Sequence, residues 1–434
     1  MMTTEEPPVI PHHFFSPVLK QTTPINFLKV LGRGVQGEDA RNLLGLLTSA
    51  RTSLLTYIHS PPLHNSSYDD MLQSCSTYLS LLLGFIAEPQ LRKVMDFSWT
   101  NIIGLEKKTK MKDTQFDLCS ILLSCANWMV SRASSVACKI KDSNAEELHK
   151  ELYHLLLRAG GVVIEVEEQV KELKGQKPIE LSPEILSVYK DMILAMAQEI
   201  SINRAQIKGN KPSLIAKLCM DVHNKYSALY YGLNVLSKSK GSRVFKVRSY
   251  AKYKMYEYQA LTYNYTAIIV SETDSENGAG LAVAACKKAL ELISLADQSA
   301  ESYTNFEPET DINLVRKELS TVRKIIQKTH NMKKMENDHI HYQKVDSLPD
   351  LPKGIQLCKP SKFDMAQVDG SWEGLYESFQ GVFTKGKVVK NEKENEEGFD
   401  VVEKEDEKEK ETGNQKKNTP KKTVRKEDSN CTIL

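Results

Sequence analysis

Apolar residues recur along this chain at intervals of three and four. Leu43, Leu47, Ala50, Leu54 and Ile58 form one stripe, and Leu148, Leu152, Leu155, Ala159, Val162, Val166 and Val170 form a longer one. A third runs through Leu214, Leu218, Val222, Leu229, Leu233 and Leu236. Ser182 followed by Pro183 opens a further helix, because a serine oxygen caps the free N–H groups and proline fits the first turn. Gly278-Ala279-Gly280 precedes an alanine-rich stretch from Leu281 to Ala300 whose small side chains permit close helix contacts. That stretch resembles a tetratricopeptide hairpin, although no repeat of that period runs through the chain. Strand-like runs are few, and Ile25 to Leu31 is the best of them. The pattern predicts a mainly α-helical body with a small β-sheet near the N-terminus. From Ser347 the periodicity breaks at Leu348-Pro349-Asp350-Leu351-Pro352, where a helix cannot continue. The segment from there to Phe383 carries Phe363, Trp372, Tyr376, Phe379 and Phe383, and is expected to run extended and wrap back onto the helices.

Charge divides the chain further. The 58 basic and 56 acidic residues of the 434 nearly cancel, which gives no general case for a nucleic-acid binder or an enzyme of acidic substrates. Within residues 385–434, however, 26 of 50 side chains are charged and only nine are apolar, too few to bury a core. The expected organisation is an N-terminal extension at 1–13, a helical domain at 14–383 with its wrap-back segment at 346–383, and a disordered tail at 384–434. Eight cysteines include no CxxC pair, so zinc ribbons and dithiol redox sites are unsupported. The first residues lack the basic and apolar regions of a signal peptide, and no apolar run approaches the length of a membrane span. These features point to a reducing, cytosolic setting.

Candidate catalytic motifs do not survive their physical requirements. Gly32-Arg33-Gly34-Val35-Gln36-Gly37 is a literal GxGxxG between a strand-like run and a helix. A dinucleotide site also needs a ribose-binding acid about 20 residues on, at the end of a second strand. No Asp or Glu occurs between Asp39 and Asp69, and no alternating strand–helix units follow. A nucleotide-binding enzyme using Gly32, Gly34 and Gly37 is therefore the weaker alternative, and a turn is the expected reading. His12-His13 and His339-Ile340-His341 each lack a third metal ligand at a recognisable spacing. The tyrosines at 230, 231, 250, 253, 256, 258, 263 and 265 are expected to pack on two helices rather than stack on bases. The sequence therefore predicts no catalytic residue, no metal and no nucleic acid.

The C-terminus carries chemistry of its own. Cys431-Thr432-Ile433-Leu434 fits the CaaX signal for alkylation of the cysteine thiolate by a prenyltransferase. The terminal Leu434 favours a geranylgeranyl over a farnesyl group, and that covalent isoprenoid is the only prosthetic group expected. Just upstream, Lys416, Lys417, Lys421, Lys422, Arg425 and Lys426 form a run free of acidic residues. One lipid chain binds membrane only marginally, and a polybasic run facing an anionic membrane surface supplies the second signal. Glu392 to Glu411, with 11 acidic and four basic residues, would be repelled from that surface and act as a spacer.

Several blocks, in order, resemble the Bro-domain family over most of residues 14–345. They include Phe97-Ser98-Trp99-Thr100, Phe116-Asp117-Leu118, Trp128, Ala133-Ser134, Leu181-Ser182-Pro183-Glu184, Leu194-Ala195-Met196-Ala197-Gln198-Glu199 and Leu214-Ile215-Ala216-Lys217-Leu218. A body of this kind ending in CaaX is similar to the prenylated branch of the family. The resemblance implies a boomerang-shaped helical domain with a tetratricopeptide-like core and a non-enzymatic role. It further implies binding, on the concave face, to the C-terminal amphipathic helix of ESCRT-III subunits of the charged multivesicular body protein type. Carried onto this chain, the family's apolar patch falls at Leu214 and Leu218, one helical turn apart, with Ser201 where some members carry Phe. On their own those leucines read as core packing; the resemblance favours the groove for Leu214 and leaves Leu218 between the two. The family's Asn-Asp-Phe-Ile-Tyr loop is replaced here by Asn337-Asp338-His339-Ile340-His341, so no role of that loop is carried over. The resulting expectation is an ESCRT-associated adaptor, peripheral on cytosol-facing endosomal or nuclear-envelope membranes. The alternative is a helical scaffold for another membrane-associated partner.

Overall fold

The computed structural model describes residues 9–62, 67–102, 108–140, 144–234, 242–274, 276–305 and 312–383. Ten α-helices order these residues: α1 (Phe27–Leu31), α2 (Glu38–Ile58), α3 (Tyr68–Ala87), α4 (Thr114–Ala137), α5 (Ala145–Gln169), α6 (Pro183–Ile207), α7 (Pro212–Gly232), α8 (Ser242–Thr273), α9 (Gly278–Thr304) and α10 (Ile312–Glu336). From α2 onward each helix packs against the next in the chain, which is the neighbour-on-neighbour stacking of a tetratricopeptide-like array. The stripes explain why. Leu43, Leu47, Leu54 and Ile58 are buried on α2, and Leu152, Leu155, Ala159, Val162 and Val166 on α5. α6 begins as its sequence dictates, with the Ser182 hydroxyl accepting from the Ile185 N–H and Pro183 in the first turn. α8 and α9 approach closely where Ala282, Ala285 and Cys286 bury against Ala267. Leu236, the last member of the third stripe, lies outside the described residues.

The expected strand at Ile25–Leu31 is a helix instead. Asn26 accepts the Lys29 N–H on its side chain, so the chain turns helical at Phe27, and Phe27 and Leu31 bury one turn apart. So short an apolar run carries no periodicity that separates helix from strand. The sheet lies further along, with β1 (Phe97–Trp99) antiparallel to β2 (Thr109–Met111) and a single bridge from Thr22 to Trp99. Phe97 and Trp99 point inward from β1 while Ser98 is only half-buried, which accounts for the spacing of the Phe-x-Trp segment.

Asp117 in α4 ties these parts together. Its buried carboxylate accepts from the Arg51 guanidinium at 3.0 Å, the Tyr78 hydroxyl at 2.6 Å and the Trp99 indole N–H at 2.7 Å. Arg51 also donates to the Thr23 carbonyl at 3.0 Å and to the Thr22 hydroxyl at 3.3 Å. One carboxylate thus joins α2, α3, α4, β1 and the segment before α1. Burial disfavours the Arg51 charge, but Asp117 outweighs it and holds the guanidinium above its ordinary range.

After α10, Asn337–His341 forms one wide turn that ends at Tyr342 in the left-handed region (φ 53°). From Gln343 the chain becomes an extended strap that recrosses the helices in reverse order. Gly280 of α9 donates its N–H to the Gln343 side chain, Ile355 donates to the Lys217 carbonyl of α7, Ser361 to Leu157 of α5, and Asp369 to Ser80 of α3. Trp372 then lies flat on Gly84, where any Cβ would stand 2.1 Å from the ring, and gives its indole N–H to the Leu81 carbonyl at 2.9 Å. The strap finishes against the GxGxxG segment. Gly34 and Gly381 meet backbone to backbone, with a Cβ on Gly381 only 2.6 Å from the Gly34 carbonyl oxygen, and Gln36 donates its N–H to Ser378. Gly34 serves a chain crossing and Gly37 a turn at φ 80°, and among the described residues no strand precedes them.

Candidate functional site

Two constellations stand out, one interior and one at the surface. In the interior, Lys254 of α8 lies 2.8 Å from Glu199, 2.7 Å from Glu318 and 3.4 Å from Glu257, all fully buried. Burial alone would raise the carboxyl of Glu199, but Lys254 and His12 reverse that and leave it below its ordinary value. Burial pushes Glu257 up to about 7 and Glu318 well above the carboxylate range, whereas Glu199 is held down. His12, Glu199 and Glu318 gather within 4.8 Å of one another, as metal ligands would, but the Lys254 ammonium already stands between the two carboxylates. The N-terminal segment plugs this cluster. His13 donates its backbone N–H to Glu318, and Asn203 of α6 grips Ile10 by both its N–H and its carbonyl. Residues 10–15, partly set apart as an extension on sequence, are buried in the body. Tyr250, Tyr253 and Tyr258 are buried around the same ammonium, where no base could stack on them.

The surface constellation lies where the strap crosses the α6–α7 hairpin. The hairpin turns at Gly209 (φ 64°) and α7 restarts with Pro212 in its first turn. Leu214, Leu218 and Asp221 share one face of α7. Leu214 is 39% exposed, whereas Leu218 is 1% exposed and belongs to the core. The Leu218 carbonyl accepts from the buried side-chain amide of Gln198, which also donates to Asp221 and to the Ile355 carbonyl at 3.2 Å. The Gln198 carbonyl oxygen accepts the Leu357 N–H at 2.8 Å, so one glutamine clamps the strap onto both helices. With their backbones so fixed, Ile355 and Leu357 fall on the same side of the extended strap and remain 44% and 55% exposed. Ser201 is half-buried, donates its hydroxyl to the Ala197 carbonyl, and sits 3.7 Å from the Cys358 sulfur of the strap. Lys208, Lys211, Lys353 and Lys359 are exposed on the hairpin turn and the strap. The crossing thus presents apolar side chains among cations.

Ile355 and Leu357 were not singled out by sequence. Their only signal is the alternation Ile355-Gln356-Leu357 in a segment already expected to be extended. Ile340 and Tyr342, in the turn after α10, are exposed as well. Cys431 and the six basic residues from Lys416 to Lys426 lie outside the described residues. Among the described residues no helix is long and apolar enough to cross a membrane.

The fold is thus a helical stack recrossed by its own C-terminal strap. The profile of the BRO1-like domain matches residues 20–385, and the chain belongs to that family. It is similar to the BRO1 domain-containing protein BROX of Xenopus tropicalis, 27% identical over 384 residues that cover 83% of this chain and 88% of that protein. The Homo sapiens protein of the same name is 26% identical over 381 residues, covering 83% and 88%. Among solved structures, the ALIX BRO1 domain in its CHMP4C complex superposes with a TM-score of 0.62 at 19% identity, covering 83% of this chain and 99% of that one.

Proposed function

We propose that this chain is a non-enzymatic, ESCRT-associated adaptor. Its α7–strap surface binds the C-terminal amphipathic helix of an ESCRT-III subunit, and an isoprenoid on Cys431 holds it to cytosol-facing membranes. The observation that carries the reading is Leu214. Of the stripe Leu214, Leu218, Val222, Leu229 and Leu233, it alone is left exposed, and the strap crossing beside it leaves Ile355 and Leu357 uncovered. An amphipathic helix offers apolar side chains at three- and four-residue spacing to such a surface, and acidic flanks would face the lysines around it. The ALIX BRO1 domain seen with CHMP4C shares the fold, which supports a partner of that kind. Ser201 with Cys358 beside it makes that corner flat, so binding would rest on Leu214, Ile355 and Leu357. Leu218, inside the core, would support Leu214 from beneath.

The test is calorimetric titration of the full chain with ESCRT-III C-terminal helix peptides. Leu214→Asp should weaken binding at least about tenfold, or ~1.4 kcal/mol, with the helical circular dichroism unchanged. Equal affinity in the two proteins would remove the assignment and favour a scaffold for some other membrane-associated partner. The tether is tested separately. In cell fractionation Cys431→Ser should move the protein from the membrane pellet to the supernatant, because a lipid chain and a basic run are each marginal alone and anchor stably only in combination. Membrane residence at the wild-type level would refute prenylation as the tether.

A further inference from the structure

α10 spends one face on the core and leaves a second set of apolar side chains outside it. Val315, Leu319, Val322 and Ile326 recur at four, three and four, and are buried. On the opposite face Lys324, Lys328, Met332 and Met335 recur at four, four and three, and all are exposed. The turn that follows adds Ile340 and Tyr342, 67% and 75% exposed. That turn is firmly held. Tyr342 gives its N–H to the Asn337 carbonyl at 2.7 Å, and the Asn337 side chain bonds both backbone groups of Gln343 at 3.0 Å. The Gln343 side chain accepts the Gly280 N–H of α9 at 2.9 Å, and a Cβ on Gly280 would stand 2.0 Å from the Lys344 carbonyl oxygen. Among the described residues Tyr342 is the one side-chain-bearing residue at positive φ. A tyrosine held in that conformation with its ring in water is a cost that packing does not return.

The charges around this tip are mostly of one sign. Between Arg323 and Val345 there are six basic and two acidic residues. Both acids are already paired, Glu336 with Lys333 at 2.9 Å and Asp338 with Lys334, and Arg323 is taken by Asp297. Asp338 is held below its ordinary range first by its hydrogen bond to Lys334 and then by the charges of Lys334, His339 and Lys287, so Lys287 of α9 faces the same carboxylate. Lys287 and Lys344 are exposed, and among the described residues neither is paired with a carboxylate. Apolar side chains standing out on a turn and ringed by cations fit the boundary between anionic headgroups and acyl chains. Methionine and isoleucine enter it, tyrosine sits at headgroup level, and lysines reach back to the phosphates. A nucleic acid would use the cations and leave Met335 and Ile340 in water.

We propose that the end of α10 and the turn after it dock on an anionic bilayer, with Met335, Ile340 and Tyr342 entering the headgroup–acyl boundary and Lys287 and Lys344 facing lipid phosphates. The contact goes beyond the tether proposed above, because it belongs to the helical body and needs neither Cys431 nor the basic run. It fixes how the helical stack is oriented on the membrane.

The test uses full-length protein carrying Cys431→Ser, so that no isoprenoid contributes. Tyr342→Trp puts a reporter on the tip, and the native Trp99, Trp128 and Trp372 are all buried, so their emission is a constant background. With phosphatidylcholine–phosphatidylserine vesicles bearing brominated acyl chains, the added emission should shift to the blue and be quenched saturably. Brominated vesicles of phosphatidylcholine alone should leave it in place. Leu46→Trp, at an exposed position of α2, should stay unquenched even where the protein sediments with the vesicles through its basic run. Added to Tyr342→Trp, either Ile340→Asp or the pair Lys287→Glu and Lys344→Glu should raise the lipid concentration for half-maximal quenching at least about fivefold, with the helical circular dichroism unchanged. Absence of quenching in Tyr342→Trp, whether or not the protein sediments, overturns the proposal and would point to a protein partner for the tip. Equal quenching in Leu46→Trp or on the neutral vesicles overturns it too. Either failure leaves the Cys431 tether standing, because that cysteine is absent from the protein tested.

Discussion

Replacing Asp117 with alanine should cost about 3–5 kcal/mol of folding free energy, the penalty of leaving a buried charge without its partner. Arg51 is 1% exposed and would face the interior with only the Thr22 and Thr23 oxygens as acceptors. The Tyr78 hydroxyl and the Trp99 indole N–H would lose their acceptor in the same step. The check is urea unfolding followed by tryptophan fluorescence, in which the midpoint should fall markedly with the slope unchanged. Asp117→Asn keeps an acceptor oxygen but removes the charge, so it should fall between wild type and alanine. A midpoint for Asp117→Ala close to that of wild type would mean that Arg51 finds another anion and that the five-way tie is not what holds β1 to the helices.

The second large effect belongs to Trp372. Its ring meets Phe85 edge-on at 5.1 Å, stacks on Tyr376 at 5.3 Å and rests on Gly84. Trp372→Ala should forfeit about 3–5 kcal/mol of that docking. The loss is local, so its readout is hydrogen exchange and limited proteolysis. Protection should drop roughly a hundredfold or more in residues 369–383 while the cores of α4 to α8 keep theirs. The Gln198 clamp lies upstream and should still hold Ile355 and Leu357, so affinity for an ESCRT-III helix peptide should change little. Loss of protection spread evenly over all the helices would show that the strap and the body unfold as one unit.

How far the sequence reached can be judged residue by residue. The stripes on α2, α5 and α7 and the Ser182-Pro183 start of α6 were legible because periodicity and capping are local. The helix at Phe27–Leu31 was misread as a strand, because five residues carry no period and the Asn26 cap was the one usable signal. β1 and β2 are three residues each, too short to announce themselves except through Phe97 and Trp99. The wrap-back of residues 346–383 was readable from its prolines and aromatics, but its path was not. At the candidate site, Leu214 and Leu218 have equivalent positions in the pattern. Only packing separates them, and it leaves the first exposed and takes the second into the core. Ile355 and Leu357 became visible only once Gln198 was seen to fix the strap. The Lys254 cluster joins α6, α8 and α10 with the N-terminal segment, and no short-range pattern could have assembled it.

The strap also sets an order of events at the ribosome. The Trp372 indole reaches a carbonyl at Leu81, 291 residues earlier in the chain. At about 5–20 residues per second, α3 waits some 15–60 s after its own synthesis for the side chain that covers it. During that interval Phe85 and its neighbours lack Trp372 and Phe379, and form a transient sticky patch on a nascent chain whose helices can otherwise already pair. Chaperones that shield apolar surface have their natural window there. A transcript that stops short of residue 346 would make the window permanent and yield a protein with α1 to α10 and an open seam.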